Sequence, residues 1–184
     1  MNRKTFIKNS GLGLALTLLP SIAFSQIKSS TVLSRNGLTK LLPKIVRNKQ
    51  GKTLNVLGDQ QTIKLTGKDT NGQFTLIEEF NDPGTGIPPH VHENEDEIFK
   101  VLEGEMELTV GGETTILKAG DLAFGPRGIP HSWRIIGDKK AKVILSVFPS
   151  GIEDMFEELS QLPAGPPNFE KIAKICKNYG IKFL

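Results

Sequence analysis

Between Thr53 and Phe148 the chain breaks into short runs in which apolar and polar residues alternate, and this texture constrains the fold most. QTIKLT, QFTLIEEF, EIFKVLEG, EMELTV, TTILKAG, DLAFGP, HSWRII and AKVILSVF each carry the two-residue period of a half-buried strand. Gly58-Asp59, Asn71-Gly72, Gly111-Gly112, Gly120-Asp121 and Gly137-Asp138 punctuate them as turns. No segment of helical period interrupts the series. Regularly spaced antiparallel strands without crossover helices predict an all-β domain over 53–149, a sandwich or barrel of jelly-roll type.

The period changes after Pro149. Ser150 and Glu153 have the spacing of a capping box, and Ile152, Met155, Phe156 and Leu159 then form one apolar stripe. Pro163 ends that helix, and Ala164 to Pro167 read as a stiff connector. Asn168 is placed to cap a second helix, and Gly180 to terminate it. Residues 150–184 therefore read as a helical extension packed outside the β-domain, with no chemistry of its own. The single cysteine, Cys176, excludes an intrachain disulfide and falls on the apolar stripe of the second helix.

The first 25 residues have the parts of an export signal: a basic MNRKTFIK, an apolar GLGLALTLLPSIAF, and Ala23-Phe24-Ser25 before Gln26. The apolar core runs about 14 residues, short of the roughly 20 that span a bilayer, so no stable membrane anchor is expected after cleavage. RKTFIK resembles the twin-arginine pattern, with Lys4 in place of the second arginine; the expected destination is the periplasm or the exterior. Residues 26–52 form a polar lead-in. Loss of Arg3, Lys4 and Lys8 would bring the formal charge from +3 to zero, which removes any bias toward nucleic acid. The 184 residues suffice for one domain with a core, and 38% apolar with 23% charged residues reads as soluble and globular.

The chain has only three histidines. In an extended PPHVH, His90 and His92 project from the same face, since strand residues alternate. The polar Glu93–Asp96 bend then lets Glu97 open the next, adjacent strand on the same side. Two imidazoles and a carboxylate from one hairpin suit a borderline divalent metal, with nitrogen ligands at about 2.0–2.1 Å. A fourth ligand must come from elsewhere, and His131, followed by Trp133 on the same face, is the remaining histidine. Glu93, Glu95 and Asp96 read as a solvated loop, Arg127 as an exposed turn residue, and one of Glu78 and Glu79 as inward-facing.

These residues carry a family resemblance. Gly84-x5-His90-x-His92-x4-Glu97-x6-Gly104 resembles the first signature motif of the cupin superfamily, and Gly120-x5-Pro126-x-Gly128-x2-His131 the second. Ile135 departs from the second motif, where an asparagine often stands. The tail GIEDMFEELSQLP more loosely resembles small quercetinase-like cupins. The resemblance implies a cupin-type jelly-roll barrel and one divalent metal (Fe, Mn, Ni, Cu or Zn) held by His90, His92, Glu97 and His131. It also implies a homodimer paired through strand edges.

Strand parity directs Phe99, Phe124 and Trp133 inward, with Met106 and Leu108 deeper, lining a substrate pocket of aromatic character. By the same resemblance the chain is a metal-dependent dioxygenase of a small phenolic or flavonol-like compound, with Glu97 as both ligand and catalytic base. The alternatives are a metal-containing binding or sensing protein and a sugar isomerase; the isomerase should need more hydrogen-bonding groups in the cavity than the sequence reveals.

Overall fold

The computed structural model describes residues 41–163 and 166–184. The expected export leader and most of the lead-in lie outside the described residues, as does the first half of the expected connector. Among the described residues no helix is long and apolar enough to cross a membrane.

Each alternating run forms a strand. The chain runs β1 (Lys52–Val56), β2 (Asp59–Leu65), a short helix α1 (Gly67–Thr70), β3 (Thr75–Asn81), β4 (Gly86–His92), β5 (Asp96–Glu103) and β6 (Glu105–Val110). It continues through β7 (Glu113–Lys118), β8 (Leu122–Gly125), β9 (His131–Ile136) and β10 (Ala141–Phe148). Helices α2 (Ile152–Ser160) and α3 (Phe169–Asn178) follow, and a final strand β11 (Ile181–Phe183) ends the chain. Two antiparallel sheets result, ordered β1-β2-β3-β10-β5-β8 and β11-β4-β9-β6-β7. Their inner faces enclose a core in which Ile77, Phe99, Val101, Met106, Ile135 and Val147 are essentially inaccessible. Each such side chain contributes about 1.5–3 kcal/mol by leaving water.

β4 and β5 belong to different sheets, so the expected hairpin is instead a crossing between the layers. This places β4 and the start of β5 across the interior from each other, with the 93–95 bend as the link. Gly104, the last residue of the first motif, turns β5 into β6 at φ +77°. A Cβ there would lie 2.7 Å from both the Ala141 Cα and the Lys140 carbonyl oxygen. Only glycine suits that left-handed conformation beside a neighbouring backbone. Gly104→Ala is expected to destabilise the domain by about 2 kcal/mol or more, measurable by urea unfolding.

The cap of α2 differs from the expectation. Gly151, at φ +133°, is the N-cap, and Ser150 provides no side-chain cap. Glu153, only 6% exposed, turns back instead. Its carboxylate accepts from the Gly151 amide at 2.8 Å, from the Gly67 amide at 2.7 Å and from the Thr75 hydroxyl. The residue that was expected to cap a helix thus also ties it to α1 and β3. Asn168 caps α3 as expected, accepting from the Lys171 amide at 3.0 Å, and Gly180 follows its end at φ +77°.

Candidate metal centre and cavity

His90 and His92 stand on β4 two residues apart, and His131 opens β9, where it pairs directly with His90. All three point inward. Glu97, from β5 in the opposite sheet, meets them across the interior. One donor atom from each of the four lies within 4.8 Å of the others, and every side chain is buried, at 2–6% exposure.

The outer atoms of the imidazoles decide whether this set fits a metal. His90 Nδ1 lies 2.9 Å from the Pro88 carbonyl oxygen, and His131 Nδ1 lies 3.1 Å from that of Ile129. His92 Nδ1 faces the Glu95 carboxylate at 3.4 Å. A carbonyl can only accept, so Nδ1 of His90 and of His131 carries the proton and Nε2 is presented to the centre. Such outer acceptors fix tautomer and ring orientation in metal-binding histidines. Glu95, read from sequence as a solvated loop residue, is 8% exposed and has this orienting position. Asp96 is engaged instead by Arg127, which donates to both of its oxygens at 3.0 and 2.7 Å and holds its carboxyl pKa down to about 2. Arg127 is therefore committed to the loop.

Charge at the centre is complementary. Burial would push the Glu97 carboxyl up, but the His131 hydrogen bond and the three imidazoles outweigh it and hold the group below its usual range. His131 Nε2 lies 2.9 Å from Glu97 Oε2, and that contact raises the imidazole above its ordinary value against the opposing effect of burial. Burial, reinforced by His131, lowers His90 to about 4, so His90 is a neutral nitrogen donor at neutral pH. The His90 and His92 nitrogens, a third imidazole whose proton a cation would replace, and an anionic carboxylate form a His3Glu set that fits one divalent ion.

A cavity of about 60 Å³ reaches His90, His92 and Glu97. Of the five residues expected to line a pocket, Trp133 does so. Phe99, Met106 and Leu108 are buried but fill the core rather than border this cavity; the Phe99 ring backs His131 edge-on at 6.2 Å. Phe124 is a correction: it faces outward and is 54% exposed. Across β5 and β8 it pairs with Ile98, while Ala123 pairs with the inward Phe99, so the strand presents the opposite face from the one expected.

The remaining walls come from places that the sequence did not single out. Ile152 and Met155 of α2, Ile172 and Cys176 of α3, and Ile181 and Phe183 of β11 close the cavity. β11 adds to the edge of β4, with Ile181 opposite His92 and Phe183 opposite His90. The extension is thus part of the site as well as of the fold. Burial pushes the Cys176 thiol up to about 11, consistent with its apolar role. Asp59, Gln61 and Glu79 also border the cavity, from β2 and β3. Glu79 rather than Glu78 is the inward carboxylate of β3, at 1% exposure.

Comparison with known proteins places this arrangement. A family model described as Cupin domain matches residues 80–148, a span containing all four candidate ligands. An uncharacterised protein of Aquifex aeolicus is 31% identical over 109 residues, covering 59% of this chain and 81% of the relative. Quercetin 2,3-dioxygenase of Bacillus subtilis is 33% identical over 94 residues, 51% of this chain but only 28% of the relative. The chain therefore spans under a third of that enzyme's length. Among solved structures, KdgF from Halomonas sp. superposes with a TM-score of 0.55 at 23% identity, covering 61% of this chain and 99% of that one.

Proposed function

The chain belongs to the cupin superfamily, and from that premise we propose that it is a metal-dependent oxygenase acting on a small hydroxylated, ring-bearing compound. One observation carries the reading: a His3Glu set with its imidazoles oriented from outside opens onto a cavity with largely apolar walls. The quercetin dioxygenase relative supplies the analogy for the reaction class, over the part of its length that aligns.

A divalent ion bound there would supply Lewis-acid and redox chemistry toward dioxygen and a substrate oxygen. The residues of the chain supply the rest. His90, His92 and His131 present fixed nitrogen donors from one sheet, and Glu97 compensates charge from the other. Glu97 is also the group positioned to accept a proton from a substrate hydroxyl. Trp133, Ile87 and Leu145 give an apolar surface for a flat ring, and the C-terminal extension excludes water.

The cavity volume sets the scale of the substrate. About 60 Å³ is room for roughly four to six waters, well below the pockets that hold drug-sized ligands. A single-ring phenol or catechol matches it better than a three-ring flavonol, which would require α2, α3 and β11 to move outward. Oxygen uptake is expected with members of a catechol and flavonol panel, to depend on added metal and to vanish in Glu97→Gln. Absence of uptake with every compound would overturn the reading. With the leader read as an export signal, the proposed site of action lies outside the cytoplasm.

A second reading, binding without turnover, draws on the covered cavity: a walled site suits retention as well as catalysis. Native mass spectrometry finding a co-purified small molecule on an enzyme inert toward dioxygen would favour it. The sugar-isomerase alternative gains hydrogen-bonding groups in Asp59, Gln61 and Glu79, yet among the described residues no lysine or arginine borders the cavity.

A further inference from the structure

A second polar group sits inside the barrel, in the cavity that reaches His90, His92 and Glu97. Asp59, Gln61, Glu79 and Asn81 are each no more than 5% exposed. Asp59 is the hub: its two oxygens accept from Asn81 Nδ2 at 2.5 Å and from Gln61 Nε2 at 2.7 Å. Asn81 Oδ1 in turn accepts from the Gln60 amide at 2.7 Å. A carboxylate can accept only, so the Gln61 amide must present its NH2 to Asp59 and turn its oxygen away. Among the described residues that oxygen has no partner, and neither does Glu79 Oε2. The two residues oppose each other directly across β2 and β3.

A buried polar atom without a partner is costly, and two side by side in a cavity are a feature that a bound molecule would relieve. Burial, with the charges of Asp59 and Glu97 adding to it, pushes the Glu79 carboxyl well above its usual range. That shift favours the neutral form of Glu79, which has an O–H to give. Gln61 offers a carbonyl that only accepts. A group that both donates and accepts, such as a hydroxyl, satisfies both at once.

We propose that Gln61 and Glu79 form a second substrate subsite, which receives a neutral hydroxyl at the end of the molecule remote from the His3Glu set. This rests on the oxygenase reading for the assignment of the metal end, and it adds the substrate class. The ligand carries two oxygen functions separated by an apolar body, for which Ile87, Trp133 and Leu145 are the walls. A dicarboxylate is disfavoured, because its second charge would sit beside Asp59 and Glu79.

The test uses binding, so it does not depend on turnover. Calorimetry on the metal-loaded protein without oxygen would compare phenol with hydroquinone, and 4-phenylphenol with 4,4′-dihydroxybiphenyl. The second hydroxyl is expected to tighten binding about tenfold in at least one pair. Glu79→Leu should erase that preference while keeping one metal equivalent. Its melting temperature should hold or rise, because an unpartnered buried carboxyl has been replaced by an apolar group. A merely structural role for Glu79 would instead lower the melting temperature. Glu79→Ala should lose the preference as well, and it serves if the leucine variant does not fold. Equal affinities within both pairs, no binding by any of the four, or a preference that survives in these variants would overturn the proposal. Failure of oxygen uptake alongside an intact hydroxyl preference would overturn the oxygenase reading alone.

Discussion

Replacing His131 by alanine is expected to reduce bound metal from about one equivalent per chain to below a tenth. Oxygen uptake should fall with it by roughly three orders of magnitude. The size of the effect follows from what His131 does. Its Nε2 lies 2.9 Å from Glu97 Oε2, its ring meets that of His90 edge-on at 4.4 Å, and it is the member of the set outside the β4–β5 segment. Removing it leaves three donors, one of them a buried carboxylate without its principal partner. Two effects must then be separated. Loss of the imidazole destabilises the metal-free fold, and it also removes the stabilisation that metal would give. Metal at about 100 times its dissociation constant should stabilise wild type by roughly 2.7 kcal/mol over the chelated protein. The variant should show no such increment relative to its own chelated form. Proton competition gives an independent check: the contact with Glu97 raises the His131 imidazole, so uptake by wild type should weaken as pH falls and be accompanied by proton release. One equivalent of metal in His131→Ala, with the same thermal increment, would exclude the assigned ligand set.

The grouping of the candidate ligands was legible from sequence for a physical reason. Strand parity puts His90 and His92 on one face and scarcity points to His131 as the remaining histidine, whereas Glu97 meets them from the opposite sheet rather than from the expected hairpin. The strands were legible because a half-buried sheet imposes alternation. Alternation does not reveal which face is inside when both faces carry apolar residues. Leu122-Ala123-Phe124 illustrates this, since its inward face is set by pairing Ala123 with Phe99. Nor does it reveal which partner a strand takes, so a hairpin was expected where β4 and β5 cross between sheets. The polar residues of the cavity were hidden by the rule that polar side chains face water. In Ile77-Glu78-Glu79-Phe80 that rule cannot choose between the glutamates, and Glu79 and Asn81 break it by facing inward while Phe80 is 44% exposed. Violations of local patterning concentrate where a site needs them, and here Glu79 and its cross-strand partner Gln61 border the cavity.

The helical extension was legible as helices but not as walls of the site, and Glu153 joins the two roles. Glu153→Ala is expected to cost about 3 kcal/mol, lowering the melting temperature by roughly 10 °C. The argument counts donors: the Gly67 and Gly151 amides and the Thr75 hydroxyl all give their hydrogen bonds to this one carboxylate, and Thr75 is fully buried. Hydrogen bonds to a charged group contribute about 1.5–3 kcal/mol each, and orphaned buried donors add a penalty; relaxation and water entry recover part of the sum. The same bonds predict a pH signature. Burial acts to raise the Glu153 carboxyl, but the bonds from Gly67, Thr75 and Gly151 outweigh it and place the folded value below the usual 4.5. A depressed carboxylate stabilises the fold above its unfolded value, and that contribution is lost as pH falls through the folded one. Urea unfolding of chelated wild type and Glu153→Gln should therefore show a gap of about 2 kcal/mol at pH 7 that narrows below pH 4.5. The acid sensitivity due to His90, whose folded value of about 4 lies below 6.5, is common to both proteins and cancels in the difference. Because Ile152 and Met155 flank this carboxylate and wall the cavity, ligand affinity should weaken together with stability in the alanine variant. A gap independent of pH, or an alanine variant as stable as wild type, would show that α2 is held by its apolar stripe alone.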